Sequence, residues 1–232
     1  MPDLTILMPV YNERATVEEA ISRALSAPLP VESRELVVVD DGSTDGTREL
    51  LRERDWPAEV EIVFHERNGG KGAAVRTAIG RARGRWAAIL DADLEYDAAD
   101  IGRLLEPLEA GEAEVVFGVR GFDSRSAFSF WYVVGNKAVT MVANLIFNSW
   151  LADIMTCHKA MATDVWRSLD LRARGFELEG EITARVLSSG RRVYEVPITY
   201  RARGREEGKK LTGMDALRVM ATLVRVRLRR RR

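Results

Sequence analysis

The sequence predicts an α/β fold in which a mostly parallel sheet is flanked by helices. In the first half of the chain, short apolar runs such as Leu36-Val37-Val38-Val39 alternate with segments whose apolar residues recur at helical spacing. The links between these segments are short, which favours parallel strands joined by right-handed crossovers. Acidic pairs follow two of the apolar runs, as expected where strands end at a ligand-binding edge of the sheet.

The predicted elements follow one another along the whole chain. We predict strands over 4–10, 35–40, 60–65, 86–90, 115–119, 156–162 and 192–200. We predict helices over 16–27, 44–55, 70–82, 98–109, 130–147, 179–189 and 211–232. Thr16 is expected to cap the first helix, and Ser43 or Thr44 the second, because hydroxyl oxygens accept the free amides of a first turn.

The composition is typical of a globular protein and argues against several classes. Hydrophobic residues make up 46% and charged residues 30% of the chain. The 35 basic residues balance the 35 acidic ones, so bulk charge does not favour a nucleic-acid partner. The single cysteine, Cys157, excludes an intrachain disulfide, and residues 1–10 lack the pattern of a signal peptide. We therefore expect a cytoplasmic protein.

Two acidic clusters point to the chemistry. Asp91-Ala92-Asp93 follows one apolar run, and Asp40-Asp41 follows another. Carboxylates at one sheet edge repel each other unless a cation or a hydrogen-bonding ligand lies between them. Alternating carboxylates bind hard cations such as Mg²⁺ or Mn²⁺ and leave room for diphosphate oxygens. Together the clusters predict a metal-assisted nucleotide site, whereas either alone could be an acidic loop.

Two further segments favour a nucleotide. Pro9 ends the first predicted strand, after which Tyr11 could stack on a base and Glu13 could accept hydrogen bonds from it. Residues 68–72 read Asn-Gly-Gly-Lys-Gly before a helix, so their amides and Lys71 could bind phosphate. An ordinary turn and helix start is the alternative for each, and 68–72 lacks the spacing of a Walker motif.

Six segments in one order resemble the inverting glycosyltransferases of family 2. The segments are 9–13, 38–47, 68–72, 91–93, 153–159 and 175–182. Among subgroups, the sequence is most similar to the dolichyl-phosphate mannose synthase-like enzymes, which transfer sugars to polyprenyl phosphates. The resemblance runs from about residue 4 to about residue 210 and implies the GT-A fold.

The resemblance implies roles for matching positions. Residues implied to bind the nucleoside are Pro9, Tyr11, Glu13 and Asp41, with Asp40 beside them. Residues implied to hold the metal are Asp91, Asp93 and Glu95, with Ala92 between the first two and Glu95 where the family often has Gln. Residues expected to bind the diphosphate are Lys71, Arg120, Arg203 and Lys209 or Lys210. Asp93, Arg120 and Glu179 are the implied catalytic residues.

The implied reaction moves a sugar from GDP-mannose or a UDP-hexose, with Mg²⁺ or Mn²⁺, to a polyprenyl or dolichyl phosphate. Such a phosphate is already a dianion near neutrality, so it needs no strong base. A hydroxyl acceptor would need a carboxylate base, for which Glu177, Glu179, Glu181 and Asp153 are candidates. Helix-start chemistry is the alternative for Glu179 and Glu181. A soluble acceptor and a nonenzymatic nucleotide-sugar-binding adaptor remain alternative functions.

Two segments could bring the protein to a bilayer. Aromatic residues cluster around the start of one predicted helix, at Phe128, Phe130, Trp131 and Tyr132. In the last predicted helix an apolar face lies beside a basic stripe. The apolar face consists of Leu217, Met220, Val224 and Leu228, and the basic stripe consists of Arg218, Arg225, Arg229 and Arg232. Such a helix can lie on an anionic membrane or dock on the protein. We predict a catalytic domain over 1–210 and a basic amphipathic helix over 211–232, with peripheral membrane contact or a membrane-protein partner.

The match departs from the family pattern on the acceptor side. Residues 156–159 read Thr-Cys-His-Lys where the family usually has Thr-Gly-Phe-Lys. Asn136 stands where a serine that grips the acceptor phosphate is expected. The sequence therefore defines the donor half of the reaction more closely than the acceptor half.

Overall fold

The computed structural model describes residues 1–121, 130–201 and 213–229, which form seven strands and eight helices. The strands are β1 (Leu4–Val10), β2 (Arg34–Asp40), β3 (Val60–Phe64), β4 (Trp86–Ile89), β5 (Val115–Arg120), β6 (Lys159–Ala162) and β7 (Val193–Ile198). The helices are α1 (Val17–Ser26), α2 (Thr47–Glu53), α3 (Lys71–Arg81), α4 (Asp100–Glu109), α5 (Phe130–Phe147), α6 (Thr163–Ser168), α7 (Leu178–Ser188) and α8 (Gly213–Arg229). The alternation from β1 to β5 confirms the predicted α/β class.

All seven strands belong to one sheet, in the order β3-β2-β1-β4-β6-β5-β7. The strands β1 to β4 are parallel neighbours, and β5 pairs in parallel with β7. By contrast, β6 runs antiparallel between β4 and β5. The mostly parallel sheet is therefore confirmed, although the alternating pattern did not predict this reversed strand or the short α6. Because β6 is reversed, residues 153–158, which precede it, lie at the carboxyl end of β4.

The central strands are buried on both faces. In β2, all four residues of the run 36–39 are at most 1% exposed. Strands covered on both sides read as continuous apolar runs rather than as an alternation, which explains the Leu-Val-Val-Val pattern. The helix α1 buries one row, formed by Val17, Ala20, Ile21 and Ala24. These residues belong to the main apolar core of the sheet.

The start of α2 differs from the prediction for a local reason. Asp45 Oδ1 accepts the Thr47 amide at 3.0 Å, and Gly46 at the N-cap has a φ of 93°. Because Asp45 satisfies the first-turn amide, the helix begins three residues later than expected. The prediction that Ser43 or Thr44 caps this helix is therefore wrong.

The helices α5, α7 and α8 pack around a second apolar cluster. Its buried members are Val139, Ala143, Leu151, Ile154, Ala184, Val219, Leu223 and Val226. Gly180 lets α8 approach α7 closely, because a Cβ on Gly180 would lie 2.6 Å from a methyl of Val219. Among the described residues, no helix combines the length and the hydropathy needed to cross a bilayer.

Candidate active site

A cavity of about 330 Å³ lies at the edge where β1, β2 and β4 end. The residues predicted from the sequence that line it are Pro9, Tyr11, Glu13, Asp41, Lys71, Asp91, Ala92, Asp93, Glu95, Arg120 and Glu179. They come from segments far apart in the sequence. The carboxyl edge of the parallel strands brings them together, as expected for an open α/β sheet.

The turn after β1 is tied to the turn after β2. The side-chain oxygen of Asn12 accepts the Thr44 amide at 2.9 Å, and the Asn12 amide donates to Ser43 Oγ at 2.9 Å. Asn12 has a φ of 55°, a conformation that Asn adopts more readily than most residues. These bonds hold the neighbouring Tyr11 and Glu13 at the cavity wall.

The two acids after β2 have different surroundings. Asp41 lines the cavity, and its carboxylate accepts the amides of Gly69 and Gly70 at 3.0 and 2.7 Å. Asp40 is fully buried away from the cavity and pairs with Arg48 at 2.8 Å. Successive side chains of a strand point to opposite faces, so only one of the two reaches the ligand side. The expectation that Asp40 binds the donor is therefore corrected to a role in holding α2 against β2.

The glycine-rich loop 68–72 is held against a distant segment. Gly70 has a φ of 89°, and an added Cβ would lie 2.3 Å from the carbonyl oxygen of Arg174. The Gly72 amide donates to this oxygen at 2.7 Å. Only glycine permits such an approach with this φ. Gly70 and Lys71 therefore stand at the cavity wall, where the start of α3 favours an anion.

Four charged side chains alternate in sign from the cavity wall inward, and three of them line the cavity. Lys71 Nζ donates a hydrogen bond to Asp91 Oδ2 at 2.8 Å. The same nitrogen lies 3.2 Å from Glu179 Oε1, and this second contact is an ion pair without hydrogen-bond geometry. The other oxygen of Glu179 accepts the Lys159 ammonium at 2.5 Å. Lys159 is fully buried, so this pairing offsets the cost of burying its charge.

The pairing decides the protonation of two of these groups. Burial would raise the pKa of Asp91, but the Lys71 ammonium and the hydrogen bonds from Cys157 and Lys71 together lower it. Burial would lower the pKa of Lys71, but above all the charge of Asp91 raises it well above the usual value of 10.5. Both side chains are therefore charged throughout the neutral range.

The acidic loop, residues 90–97, turns sharply between its carboxylates. Leu94 has a φ of 61°, which is disfavoured for a bulky residue. Asp93 Oδ1 accepts the Glu95 amide at 3.1 Å and closes this turn. The turn brings Asp93 and Glu95 to the cavity beside Asp91.

The oxygens of the acidic loop suit a hard divalent cation that also has a phosphate ligand. In the part of the chain that the structure describes, no three His, Cys, Asp or Glu side chains converge as a complete metal cage. Mg²⁺ is commonly held by one or two carboxylates together with substrate phosphates. One or two of the carboxylates of Asp91, Asp93 and Glu95 would thus be enough to hold a cation whose coordination a diphosphate completes.

Arg120 is fixed at the cavity wall by Asp153. Its Nε and Nη2 atoms donate to the two carboxylate oxygens at 2.7 and 2.9 Å, and both side chains are buried. Burial would raise the pKa of Asp153, but Arg120 lowers it. The guanidinium carbon also lies 5.0 Å from the centre of the Tyr200 ring. A bidentate pair of this kind sets the plane of the guanidinium.

Of the four candidate bases, Glu179 alone lines the cavity. Asp153 is occupied by Arg120. Glu177 accepts the amides of Arg174 and Gly175 at 3.1 and 3.2 Å, and Glu181 accepts those of Arg172 and Ala173 at 2.8 and 2.6 Å. Glu177 and Glu181 therefore shape the segment that supports the glycine-rich loop.

The cavity also contains residues without a role assigned from the sequence. They are Val10, Ala74, Tyr96, Met155, Cys157, Gly175, Phe176 and Tyr200, whereas Asn68 and Gly70 belong to the predicted glycine-rich loop. The Tyr200 hydroxyl donates to Glu95 Oε2 at 2.6 Å, and the rings of Tyr96 and Tyr200 lie 5.1 Å apart. No spacing in the sequence connects these tyrosines. Burial raises the pKa of the Cys157 thiol well above its usual value of 9.0.

Several predicted residues lie outside the described ranges. Among the diphosphate-binding predictions these are Arg203, Lys209 and Lys210. From the predicted membrane segments, Phe128 and Arg232 also lie outside.

The sequence is similar to those of known glycosyltransferases. Residues 5–163 match the family model described as Glycosyl transferase family 2. Over 202 residues the chain is 32% identical to the glycosyltransferase AglJ of Haloferax volcanii, an alignment covering 86% of this chain and 63% of that relative. Over 228 residues it is 28% identical to the dolichol-phosphate mannosyltransferase of Pyrococcus furiosus, covering 96% and 64%. The chain thus spans less than two thirds of the length of either relative.

A solved structure shares the fold. Glucosyl-3-phosphoglycerate synthase from Mycobacterium tuberculosis, in complex with Mn²⁺, uridine diphosphate and phosphoglyceric acid, matches with a TM-score of 0.72. The match covers 97% of this chain and 78% of that one at 21% identity, which confirms the predicted GT-A fold. The family model spans well over half of the chain and includes the turn after β1, the glycine-rich loop and the acidic loop. The chain therefore belongs to glycosyl transferase family 2.

Proposed function

We propose that this protein is a metal-dependent inverting glycosyltransferase that transfers a sugar from a GDP- or UDP-sugar to a polyprenyl phosphate. One observation carries the proposal: a single cavity combines the carboxylates of Asp91, Asp93 and Glu95 with the cations of Lys71 and Arg120. A sugar diphosphate needs both kinds of group, since its oxygens share a metal with carboxylates and its charge is offset by basic side chains.

The donor would lie along the carboxyl edge of the sheet. Its nucleoside would occupy the side formed by Pro9, Tyr11 and Asp41, which the ends of β1 and β2 supply. Its diphosphate would then reach Lys71 and the acidic loop. Asp41 links the two sides, because its carboxylate holds the amides of the glycine-rich loop.

The residues at the diphosphate act on the leaving group. The carboxylates of the acidic loop would hold Mg²⁺ or Mn²⁺, which would supply Lewis acidity there. As the bond from the anomeric carbon to the diphosphate oxygen breaks, the Lys71 and Arg120 cations stabilise the growing charge. Asp153 keeps the Arg120 guanidinium in place, and Glu179 acts as counter-charge to Lys71.

A lipid phosphate as acceptor agrees with the contacts of Glu179. A phosphate monoester near neutrality is already a dianion, so its oxygen can attack the anomeric carbon without losing a proton. Glu179 is engaged by two lysine ammonium groups, which suits a structural charge in a reaction without a base. The dolichol-phosphate mannosyltransferase of Pyrococcus furiosus, by its name, uses an acceptor of this class.

A bilayer-bound acceptor needs a membrane-facing surface, and we assign it to α5 and α8. Their exposed apolar side chains are Phe130, Trp131, Val134, Met141 and Leu145 on α5, and Met214, Leu217, Val224 and Leu228 on α8. Both helices bury rows in the same apolar cluster and pack against each other, so their exposed rows lie on adjoining parts of the surface. Arg218, Arg225 and Arg229 are exposed beside the apolar row of α8. Apolar residues with a basic flank suit the anionic cytoplasmic face of a membrane.

The reaction is tested with a panel of radiolabelled UDP- and GDP-sugars, Mn²⁺, and either undecaprenyl phosphate or soluble hydroxyl acceptors. We expect label in the organic phase with one donor and the lipid, and no transfer after chelation by EDTA. Asp93→Asn should abolish transfer. Asp97→Asn is the matched control, because that exposed acid of the same loop caps Ala99 outside the cavity.

Each other outcome has a distinct meaning. Transfer to a soluble hydroxyl with no transfer to the lipid would refute the lipid-phosphate acceptor but would agree with the proposed nucleotide-sugar donor. Nucleotide-sugar binding without turnover across the panel would indicate the adaptor. Asp93→Asn with full activity would refute the metal site.

The membrane face is tested by flotation with vesicles of phosphatidylcholine, with or without phosphatidylglycerol. We expect binding to the anionic vesicles that weakens with salt and is lost in Leu217→Glu/Val224→Glu. Tyr194→Glu is the control, since Tyr194 is an exposed apolar residue of β7 and belongs to neither helix. Equal flotation of both variants would refute the surface. Binding only to membranes that contain other proteins would indicate a membrane-protein partner instead.

A further inference from the structure

His158 has no part in the proposed reaction, yet its ring contacts both ends of the acidic loop. The side chain is fully buried. Its Nδ1 lies 3.1 Å from the carbonyl oxygen of Ile89, and its Nε2 lies 3.2 Å from the carbonyl oxygen of Asp97. The chain between these two carbonyls, residues 90–96, carries all three carboxylates of the candidate metal site.

The ring is itself held firmly. The backbone carbonyl oxygen of His158 accepts a hydrogen bond from the Gly118 amide of β5 at 2.8 Å. On one face the imidazole packs on Tyr96, with ring centres 4.7 Å apart. The following residue, Lys159, begins the reversed strand β6 and is fully buried. His158 is therefore a fixed point of the sheet.

The acidic loop needs a fixed point because its turn is strained. Leu94 lies at the centre of the loop in the left-handed region, with a φ of 61°. Such a conformation persists only when the surrounding structure holds the chain on both sides of it. The two carbonyls that face His158 stand on either side of Leu94, at the end of β4 and just before α4.

We propose that His158 is a positioning residue for the acidic loop and, through it, for the metal. A neutral imidazole has one N–H and here faces two carbonyl acceptors, so in either tautomer it donates to one end of the loop. The distance between the loop ends then sets how Asp91, Asp93 and Glu95 meet a divalent cation and a diphosphate. The metal part of this proposal rests on the proposed function, whereas the loop part does not.

The test uses three variants of the full chain. His158→Phe keeps a ring against Tyr96 but removes both nitrogens, and His158→Gln restores one donor. Trp166→Phe is the matched control, because Trp166 Nε1 donates to the Ala87 carbonyl of β4 at 2.9 Å. The control thus loses one buried hydrogen bond to the same strand, away from the acidic loop.

The first readout is amide hydrogen exchange without metal. We expect the amides of residues 90–97 to exchange about tenfold faster in His158→Phe than in the wild type, with no change in Trp166→Phe. The second is the Mn²⁺ affinity by electron paramagnetic resonance with UDP or GDP present. It should fall about tenfold in His158→Phe, recover in part in His158→Gln and stay unchanged in the control.

The outcomes separate the two proposals. Equal exchange of residues 90–97 in His158→Phe and Trp166→Phe would refute the role of His158, whatever the metal result. Faster exchange with unchanged Mn²⁺ affinity would refute its effect on the metal. A wild-type chain that binds no Mn²⁺ with either nucleotide would refute the proposed function, and the exchange would still decide whether His158 holds the loop.

Discussion

The ammonium nitrogen of Lys71 lies 2.8 Å from Oδ2 of Asp91, so an ion pair joins the glycine-rich loop to the acidic loop. Lys71 begins α3, whereas Asp91 follows β4. The pair sets a cation from one motif against a carboxylate from the other at the point where a diphosphate would lie. Lys71 can therefore both orient Asp91 and stabilise the leaving group.

Replacing Lys71 by Met should lower kcat/KM by about a hundredfold, the usual effect of removing one group that stabilises transition-state charge. Steady-state kinetics with the lipid acceptor would measure it. Arg81→Met is the control, because Arg81 is an exposed basic residue at the other end of α3. A Lys71→Met enzyme within twofold of the control would contradict the role of Lys71.

The Arg120–Asp153 pair should make stability depend on acid pH. Burial would raise the pKa of Asp153, but Arg120 lowers it below the ordinary 3.8. A carboxyl with a lowered folded pKa adds stability above its unfolded pKa and loses it as the pH falls through the folded one. The difference in Tm between the wild type and Asp153→Asn should therefore be constant from about pH 5 to 7 and shrink below 3.8. Asp164→Asn, at an exposed acid, should give no such pH-dependent difference.

Replacing Asp40 or Asp41 by asparagine should affect different properties of the protein. Asp41→Asn should raise the donor KM, because the carboxylate holds the amides of the glycine-rich loop. Asp40→Asn should cost about 2 kcal/mol of unfolding free energy through the weakened Arg48 pair and leave the donor KM unchanged. Donor titrations and urea unfolding of both variants would decide. A raised donor KM in a fully folded Asp40→Asn would restore the original expectation for that residue.

Two glycines with positive φ form a matched pair for a packing test. Gly70→Ala should cost more than about 2 kcal/mol of unfolding free energy. The added Cβ would clash with the Arg174 carbonyl oxygen, and alanine would also have to adopt an unfavourable φ. Gly111 also has a positive φ, of 72°, but no atom lies within 4 Å of an added Cβ. Gly111→Ala should therefore cost only about 1 kcal/mol of unfolding free energy. Urea unfolding would measure both, and equal costs would show that the loop yields to the added methyl.

Local patterns predicted the strands and most helices because those elements depend on nearby residues. The run before Asp40 has the continuous apolar character of a doubly covered strand, and the structure buries it as expected. The carboxyl edge of the sheet could be inferred from the acids that end two strands. The direction of the reversed strand β6 could not, because the local sequence of a four-residue strand does not reveal the direction in which it pairs.

The sequence by itself determined the fold class, the family and the donor-side motifs, since these depend on residue types at short, fixed spacings. Only the tertiary structure decided that Asp41 rather than Asp40 lines the cavity, because that choice depends on where Arg48 and the glycine-rich loop pack against the end of β2. It alone brought His158 and Tyr200 to the acidic loop, through strand pairing between segments far apart in the chain. The physical reason is that side-chain contacts across a sheet depend on strand order and direction, which no local pattern records.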